Sequence, residues 1–317
     1  MKISILQPQT IYELGNRSNQ EDRMYPKYGQ ATSEDRLFIV CDGMGGHECG
    51  EVASQLVCDT LSQCIRDNWH EAVFTDVLFR NAFDETVKRL NEYGDESYKK
   101  MGTTLTFLCL HKGGATMAHI GDSRVYHIRP SESCILYKSR DHSLAYDLFM
   151  AGELSLEEMK DYPKKNIVTR ALMAQMEEKP EADITHTTDI QEGDYFYLCS
   201  DGMLEQMSDS ELLEILSSDK TDEEKAEQMK KLSANNQDNH SAILIHVTGV
   251  ELEEGDDMFD NDEQAVRHNA MYWEKRSMES LTKDKNTRAR TSIWPTIKVI
   301  VMLVVILSFL FIILVNR

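Results

Sequence analysis

Several short stretches of this chain set carboxylates beside turn residues, often at the end of an apolar run. RSNQED (residues 17–22) places Glu21 and Asp22 four and five positions after Arg17. IVCDGMGGH (39–47) closes an apolar run with Asp42 and follows it with three glycines among four residues. GDSR (121–124) carries Asp122 between two strand-like runs, LCSDG (198–202) ends another run with Asp201, and QDNHSAILI (237–245) puts Asp238 just ahead of the last one. An aspartate that ends a buried strand is held by the sheet yet points into a solvent cleft, where a rigid cation site can be built. A glycine behind it, here Gly43, lets backbone carbonyls approach. Carboxylate and carbonyl oxygens from separate strands suit octahedral Mg²⁺ or Mn²⁺, hard cations that prefer oxygen to sulfur or imidazole. A pair of such cations makes a hydrolytic centre.

Taken singly, each stretch has a plainer reading. A lone Asp-Gly usually marks a turn, and an adjacent Glu-Asp pair is usually solvated surface. DGMGGH is followed by no GxxxxGK[ST], and the chain contains neither GxGxxG nor HExxH. His119 and His127, on strand-like runs, read as structural. The formal charge of −20 argues against unaided binding to nucleic acid or to an anionic lipid surface. The seven cysteines show no CxxC pair and no zinc-type spacing, which fits small core residues in a reducing compartment. Residues 1–10 show no signal-peptide pattern, so the N-terminal part is expected in the cytosol.

The elements that must hold these acids can be read from the pattern. Residues 36–41, 103–110, 115–120, 124–128, 195–199 and 242–248 have the β-branched and aromatic content of strands. Val52, Leu56, Leu61, Ile65 and Trp69, then Val73, Val77, Phe83, Val87 and Leu90, recur near helical spacing and predict two consecutive amphipathic helices. Strands on both sides of a helical pair suggest an α+β fold of packed antiparallel sheets with helices outside. Three segments are expected: a domain over 1–248, a linker over 249–292 and a membrane helix over 293–315. The linker turns from acidic to basic, with eight acids and no base between residues 251 and 263. The uninterrupted apolar run 299–315 spans about 25 Å as a helix, and counting from Ile293 it reaches across a bilayer. Lys283, Lys285, Arg288, Arg290 and Lys298 precede the run and only Arg317 follows it, which keeps the N-terminal domain in the cytosol.

In order, RSNQED, VCDGMGGH, MGTT (101–104), GDSR, RDHS (140–143), NIVTRAL (166–172), CSDG and QDN resemble the signature series of the metal-dependent protein phosphatases, the protein phosphatase 2C family. The resemblance covers residues 15–247, and DGMGGH together with 141–172 is most similar to the bacterial-type branch; it implies that the flap-like segment 141–170 shapes access for protein substrates. It implies a β-sandwich of two antiparallel sheets flanked by helices, with cations at one edge. It also implies hydrolysis of phosphoserine and phosphothreonine on proteins by a metal-activated water, without a phosphoenzyme. Carried onto this sequence, Asp42 would bridge two Mn²⁺ or Mg²⁺ ions, with Glu21 and the Gly43 carbonyl on one side. Asp22, Asp201 and Asp238 would complete the pair, and Arg17 would clamp the substrate phosphate in a fork that lysine could not reproduce. Asp122 resembles an acid of a third, weaker cation site, in which Glu205 would stand where many relatives carry aspartate. Met44 stands where animal members have a histidine proposed as general acid, and a thioether cannot donate a proton. Protonation of the leaving alkoxide is thereby left to water or to a group the motifs do not identify.

The expected partners are phosphorylated proteins, including a Ser/Thr kinase or its substrates, and the cell membrane through a single C-terminal helix, with no nucleic acid. Two other functions share these residues: a catalytically silent phosphoprotein-binding scaffold of the same fold, and a metal hydrolase for small phosphate esters. Calorimetry with Mn²⁺ separates the scaffold from the enzyme; the shape of the cleft separates the two hydrolases.

Overall fold

LFIVC, LTFLCLH and YFYLC are apolar at almost every position, a pattern that a strand sustains only when both its faces are covered. In a computed structural model, which describes residues 1–45, 49–69, 73–93, 101–176 and 179–252, these runs are the central strands of two sheets. In chain order the elements are Lys2–Ile5 (β1), Gln9–Glu13 (β2), Arg23–Tyr25 (β3), Leu37–Cys41 (β4), Gly43–Met44 (β5), Cys49–Asn68 (α1), Asp76–Tyr93 (α2), Gly102–Thr103 (β6), Leu105–His111 (β7), Gly114–Ile120 (β8), Arg124–Arg129 (β9), Cys134–Lys138 (β10), Leu144–Ala151 (α3), Leu156–Lys160 (α4), Leu172–Met173 (β11), Asp183–Thr187 (β12), Tyr195–Cys199 (β13), Asp201–Gln206 (α5), Asp209–Leu216 (α6), Asp222–Ser233 (α7) and His240–Glu251 (β14).

One antiparallel sheet runs β12-β8-β7-β4-β3, and the other runs β1-β14-β13-β9-β10, with β2 also paired to β14. A small third sheet, β11-β6-β5, lies beside the site described below. Alternation decides which side chain faces which layer. Phe38, Val40, Leu108 and Leu110 meet Phe196, Leu198, Ile243 and Ile245 between the sheets. Leu37, Ile39, Cys41, Phe107 and Cys109 point the other way and pack under α1 and α2. Tyr197, Cys199 and Leu244 face Met203, Leu212, Ile215 and Met229 of α5 to α7. The expected α+β sandwich of antiparallel sheets flanked by helices is therefore the architecture of the described residues.

The expected helical pair is present with different ends. α1 stops at Asn68, so Trp69 stands just beyond it, and α2 starts at Asp76, so Val73 precedes it. Val73 and Val77 are 57% and 66% exposed rather than part of the buried stripe, which is Phe79, Ala82, Phe83, Val87 and Leu90. At 100° per residue Val77 lies about 200° from Phe79, on the opposite side of the helix. Strands β1, β2, β3, β10 and β12 were not legible as apolar runs. All five lie at sheet edges, where polar residues are tolerated and the alternation is weak. Among the described residues no helix is long and apolar enough to cross a membrane; most of the expected linker and all of the expected membrane helix lie outside them.

Candidate metal centre

Every acid singled out above except Glu205, which lies within α5, sits where a strand begins or ends. Asp42 follows the last residue of β4, Asp201 opens α5 directly after β13 and Ser200, and Asp238 stands two residues ahead of β14. Asp122 occupies the turn between β8 and β9, and Glu21 and Asp22 lead into β3. Antiparallel pairing brings these ends to one edge of the sandwich. Arg17, Glu21, Asp42, Gly43, Met44, Asp122, Asp201 and Asp238 line a single cleft of about 620 Å³ there. Asp22 lies beneath the wall, fully buried; its Oδ2 accepts from the Ser200 hydroxyl at 2.9 Å, and its Oδ1 has no hydrogen-bond partner. Glu205, one turn after Asp201, is exposed and outside the cleft lining. Of the two acids expected at a third cation, the fold brings only Asp122 into the cleft.

The backbone that carries these acids is pinned by polar side chains within or next to the motifs that the sequence reading left without a role. The Asp42 N–H donates to Thr104 Oγ1 at 3.0 Å, and the Asp42 carbonyl accepts from the Thr103 hydroxyl at 2.8 Å and the Thr104 N–H at 2.9 Å. Asn239 Oδ1 accepts the Glu21 N–H at 2.7 Å while its Nδ2 donates to the carbonyls of Leu14 and Asn19, tying the Arg17 loop to the start of β14. Asn236 Oδ1 accepts the Asp238 N–H at 3.2 Å, and its Nδ2 donates to the Gly202 carbonyl. A Cβ built on Gly43 would lie 2.2 Å from the Gly50 carbonyl oxygen and 2.6 Å from that of Glu21, so only glycine lets the start of α1 close on the cleft floor.

The electrostatics of the cleft are those of an anion cluster short of positive charge. Burial first, and the neighbouring acids after it, push Asp22 up to about 7 and hold Asp42 and Asp122 well above the usual carboxylate range. Burial, then the charge of Asp238, pushes Asp201 up to about 6. Arg17 pairs with Asp238 Oδ2 at 2.5 Å and is the one cationic side chain in the lining of the described cleft. A buried carboxylate oxygen with no partner, four acids held above the usual carboxylate range by burial and by neighbouring acids, and an all-oxygen donor set fit hard divalent cations.

A family model described as protein phosphatase 2C matches residues 14–237. The chain belongs to the protein phosphatase 2C family. It is similar to the protein phosphatase PhpP of Streptococcus pneumoniae, with 33% identity over 242 residues that cover 75% of this chain and 95% of the relative. It is also similar to the serine/threonine phosphatase stp of Listeria monocytogenes, 35% identical over 66% of this chain and 83% of the relative. Among solved structures, the serine/threonine phosphatase Stp1 from Staphylococcus aureus superposes with a TM-score of 0.65 at 29% identity, over 78% of this chain and 98% of that one. The catalytic domain of the serine/threonine phosphatase PstP in complex with two manganese ions superposes with a TM-score of 0.60 at 28% identity, over 77% and 99% of the two chains.

Within this phosphatase a second group of ligand-type side chains, His119, His142 and Asp183, gathers outside the cleft lining. Its hydrogen bonds speak against a metal. His142 Nδ1 accepts the Gly121 N–H at 3.0 Å, so Nε2 carries the ring proton and donates it to Asp183 at 3.2 Å. The two imidazoles stack with centroids 4.7 Å apart and planes 17° apart, so an ion in the plane of one ring would sit well out of the plane of the other. The cleft lining also includes Asn166 and Val168, from the segment 141–170 expected to shape access. That contribution could be anticipated only as a flap, because no spacing rule says which of its residues reach the cleft.

Proposed function

We propose that this phosphatase hydrolyses phosphoserine and phosphothreonine esters on proteins with two divalent cations held in the cleft. The observation that carries the reading is the convergence of Glu21, Asp42, Asp122, Asp201 and Asp238 with Arg17 on one cleft, over the buried Asp22. Glu21, Asp22, Asp42, Asp201, Asp238 and the Gly43 carbonyl are the groups that would hold two Mn²⁺ or Mg²⁺ ions, and Asp122 would serve a third, weaker one. When bound, the cations supply Lewis acidity and lower the pKa of a water enough for attack on phosphorus near neutral pH. Arg17 is half exposed at the cleft mouth, where its planar fork can leave Asp238 for a phosphate dianion and hold it bidentately. Thr103 and Thr104 keep Asp42 at the floor. Met44 in the lining offers no proton, so the leaving alkoxide takes its proton from water or from another group. The names of the similar proteins, three of them serine/threonine phosphatases, support serine and threonine esters as the substrate class.

The same reading puts the enzyme on the cytosolic face of the cell membrane, tethered by residues 293–315 through the linker 249–292. Phosphorylated proteins are its substrates, with a Ser/Thr kinase or that kinase's targets as partners. The apolar run and the cations ahead of it support the tether, and this part rests on the sequence alone.

Purified full-length chain with Mn²⁺ is expected to release phosphate from a phosphothreonine peptide and to stop on chelation. Asp42→Asn and Asp201→Asn should each lower turnover by on the order of 10³-fold, the scale of losing a main charge-stabilising group. Turnover that persists in the presence of chelator overturns the reading.

A further inference from the structure

His142 joins two parts of the cleft that belong to different elements. Its ring Nδ1 accepts the Gly121 N–H at 3.0 Å, and its own N–H donates to the Gly121 carbonyl at 2.9 Å. Gly121 has φ +111° and directly precedes Asp122, so the ring grips the turn that presents this acid. On the other side the same turn is held by Thr104, whose hydroxyl lies 2.7 Å from that of Ser123. His142 is also the root of the flap. Its carbonyl accepts the Thr169 N–H at 2.8 Å, and Ser143 bridges to Val168 beside it. Its Nε2–H donates to Asp183 Oδ2, while Asp183 Oδ1 accepts from Arg170 at 2.7 Å, so one carboxylate of β12 clasps both ends of the segment. The His142 hydrogen bond leads in holding Asp183 well below the usual carboxylate range. His119 stacks on the ring and donates its Nε2–H to the Arg140 carbonyl at 2.7 Å, which fixes the plane of the imidazole.

We propose that His142 is a positioning residue whose two ring nitrogens do separate work: Nδ1 sets the Asp122 turn, and Nε2, through Asp183 and Arg170, sets the flap that brings Asn166 and Val168 to the cleft. Asp122 and the flap wall are thereby placed by a single side chain. The significance for turnover rests on the phosphatase reading; the mechanical link does not, because its hydrogen bonds involve none of the acids assigned to the cations.

Two substitutions separate the nitrogens. His142→Asn keeps an acceptor near the place of Nδ1 and loses the donor to Asp183, whereas His142→Gln keeps a donor reaching toward Asp183 and loses the acceptor. Amide hydrogen exchange is measured on the full chain with chelator present. His142→Asn should leave peptides over 119–124 close to wild type and speed exchange in 144–168 by roughly fivefold, the scale of losing one ordinary hydrogen bond. His142→Gln should do the reverse, and in a Mn²⁺ calorimetric titration it alone should weaken binding that Asp122→Asn also weakens. Asp183→Asn leaves the turn contact untouched and should reproduce the flap effect, which decides the matter if a His142 variant does not fold. Equal loosening of both regions by each variant, or no loosening by Asp183→Asn, overturns the proposal. Absence of phosphatase activity would overturn the proposed function and leave the exchange pattern as it is.

Discussion

At the residue scale, the acids of the cleft make stability and cation binding depend on pH in a direction that can be worked out. Asp22 and Asp201 are pushed from 3.8 up to about 7 and about 6 in the cation-free fold. Carboxyls that keep protons in the folded chain where the unfolded chain has lost them make folding take up protons. Their contribution is full below 3.8 and is lost as pH rises through the folded values. His111 and His119, pushed down to about 4 by burial, act in the opposite sense up to 6.5, so Asp22→Asn is the proper comparison. Cations need displace no protons once these acids are ionised. The rise in Tm on adding Mn²⁺ should therefore be larger at about pH 7.5 than at about pH 5.5, and Asp22→Asn should narrow the difference. Equal shifts at both pH values would show that these acids do not bind the ion. Glu21, Asp22, Asp42, Asp122, Asp201 and Asp238 were all singled out in the sequence, because a carboxylate beside turn residues or at the border of an apolar run is a local pattern. Asn239, Asn236 and Thr104 were not assigned, since a hydrogen bond from residue 21 to residue 239 has no local signature.

At the element scale, the cleft depends on how closely α1 can approach the turn after β4. Gly43 and Gly50 meet backbone to backbone, and a methyl group on Gly43 has no flexible side chain to push aside. Gly43→Ala should cost about 1–3 kcal/mol of stability in chemical denaturation, the usual range for overpacking, and weaken Mn²⁺ affinity at least about tenfold by calorimetry. Full affinity in that variant would mean that the helix start does not set the cleft floor. The central strands were legible from their apolar runs because helices cover both sheets from outside. The edge strands β3 and β12 were not, although β12 supplies Asp183 and β3 follows directly on Asp22. Polar side chains at an edge hide the alternation that reveals an interior strand.

At the scale of the whole molecule, the proposed tether is separable from the proposed chemistry. The matched family region ends at residue 237 and β14 closes the sandwich at Glu251, well before residue 293. A chain lacking residues 293–317 should leave the membrane fraction and keep wild-type turnover on a soluble phosphopeptide; continued membrane association of that truncation would remove the tether from the account. What the amino-acid sequence determined by itself was the family and the identity of the acids: eight motifs in order are a one-dimensional record, readable without knowing who touches whom. It also determined the sandwich, since alternation and apolar runs follow from how a strand buries its faces. Only the tertiary structure decided that Asp22 lies under the cleft, that Glu205 stays out of it, and that His142 ties the Asp122 turn to the flap. Those facts depend on the packing of one sheet on the other and on hydrogen bonds such as Glu21 to Asn239 and Gly121 to His142, and contacts made across such separations leave no trace in the local pattern of either partner.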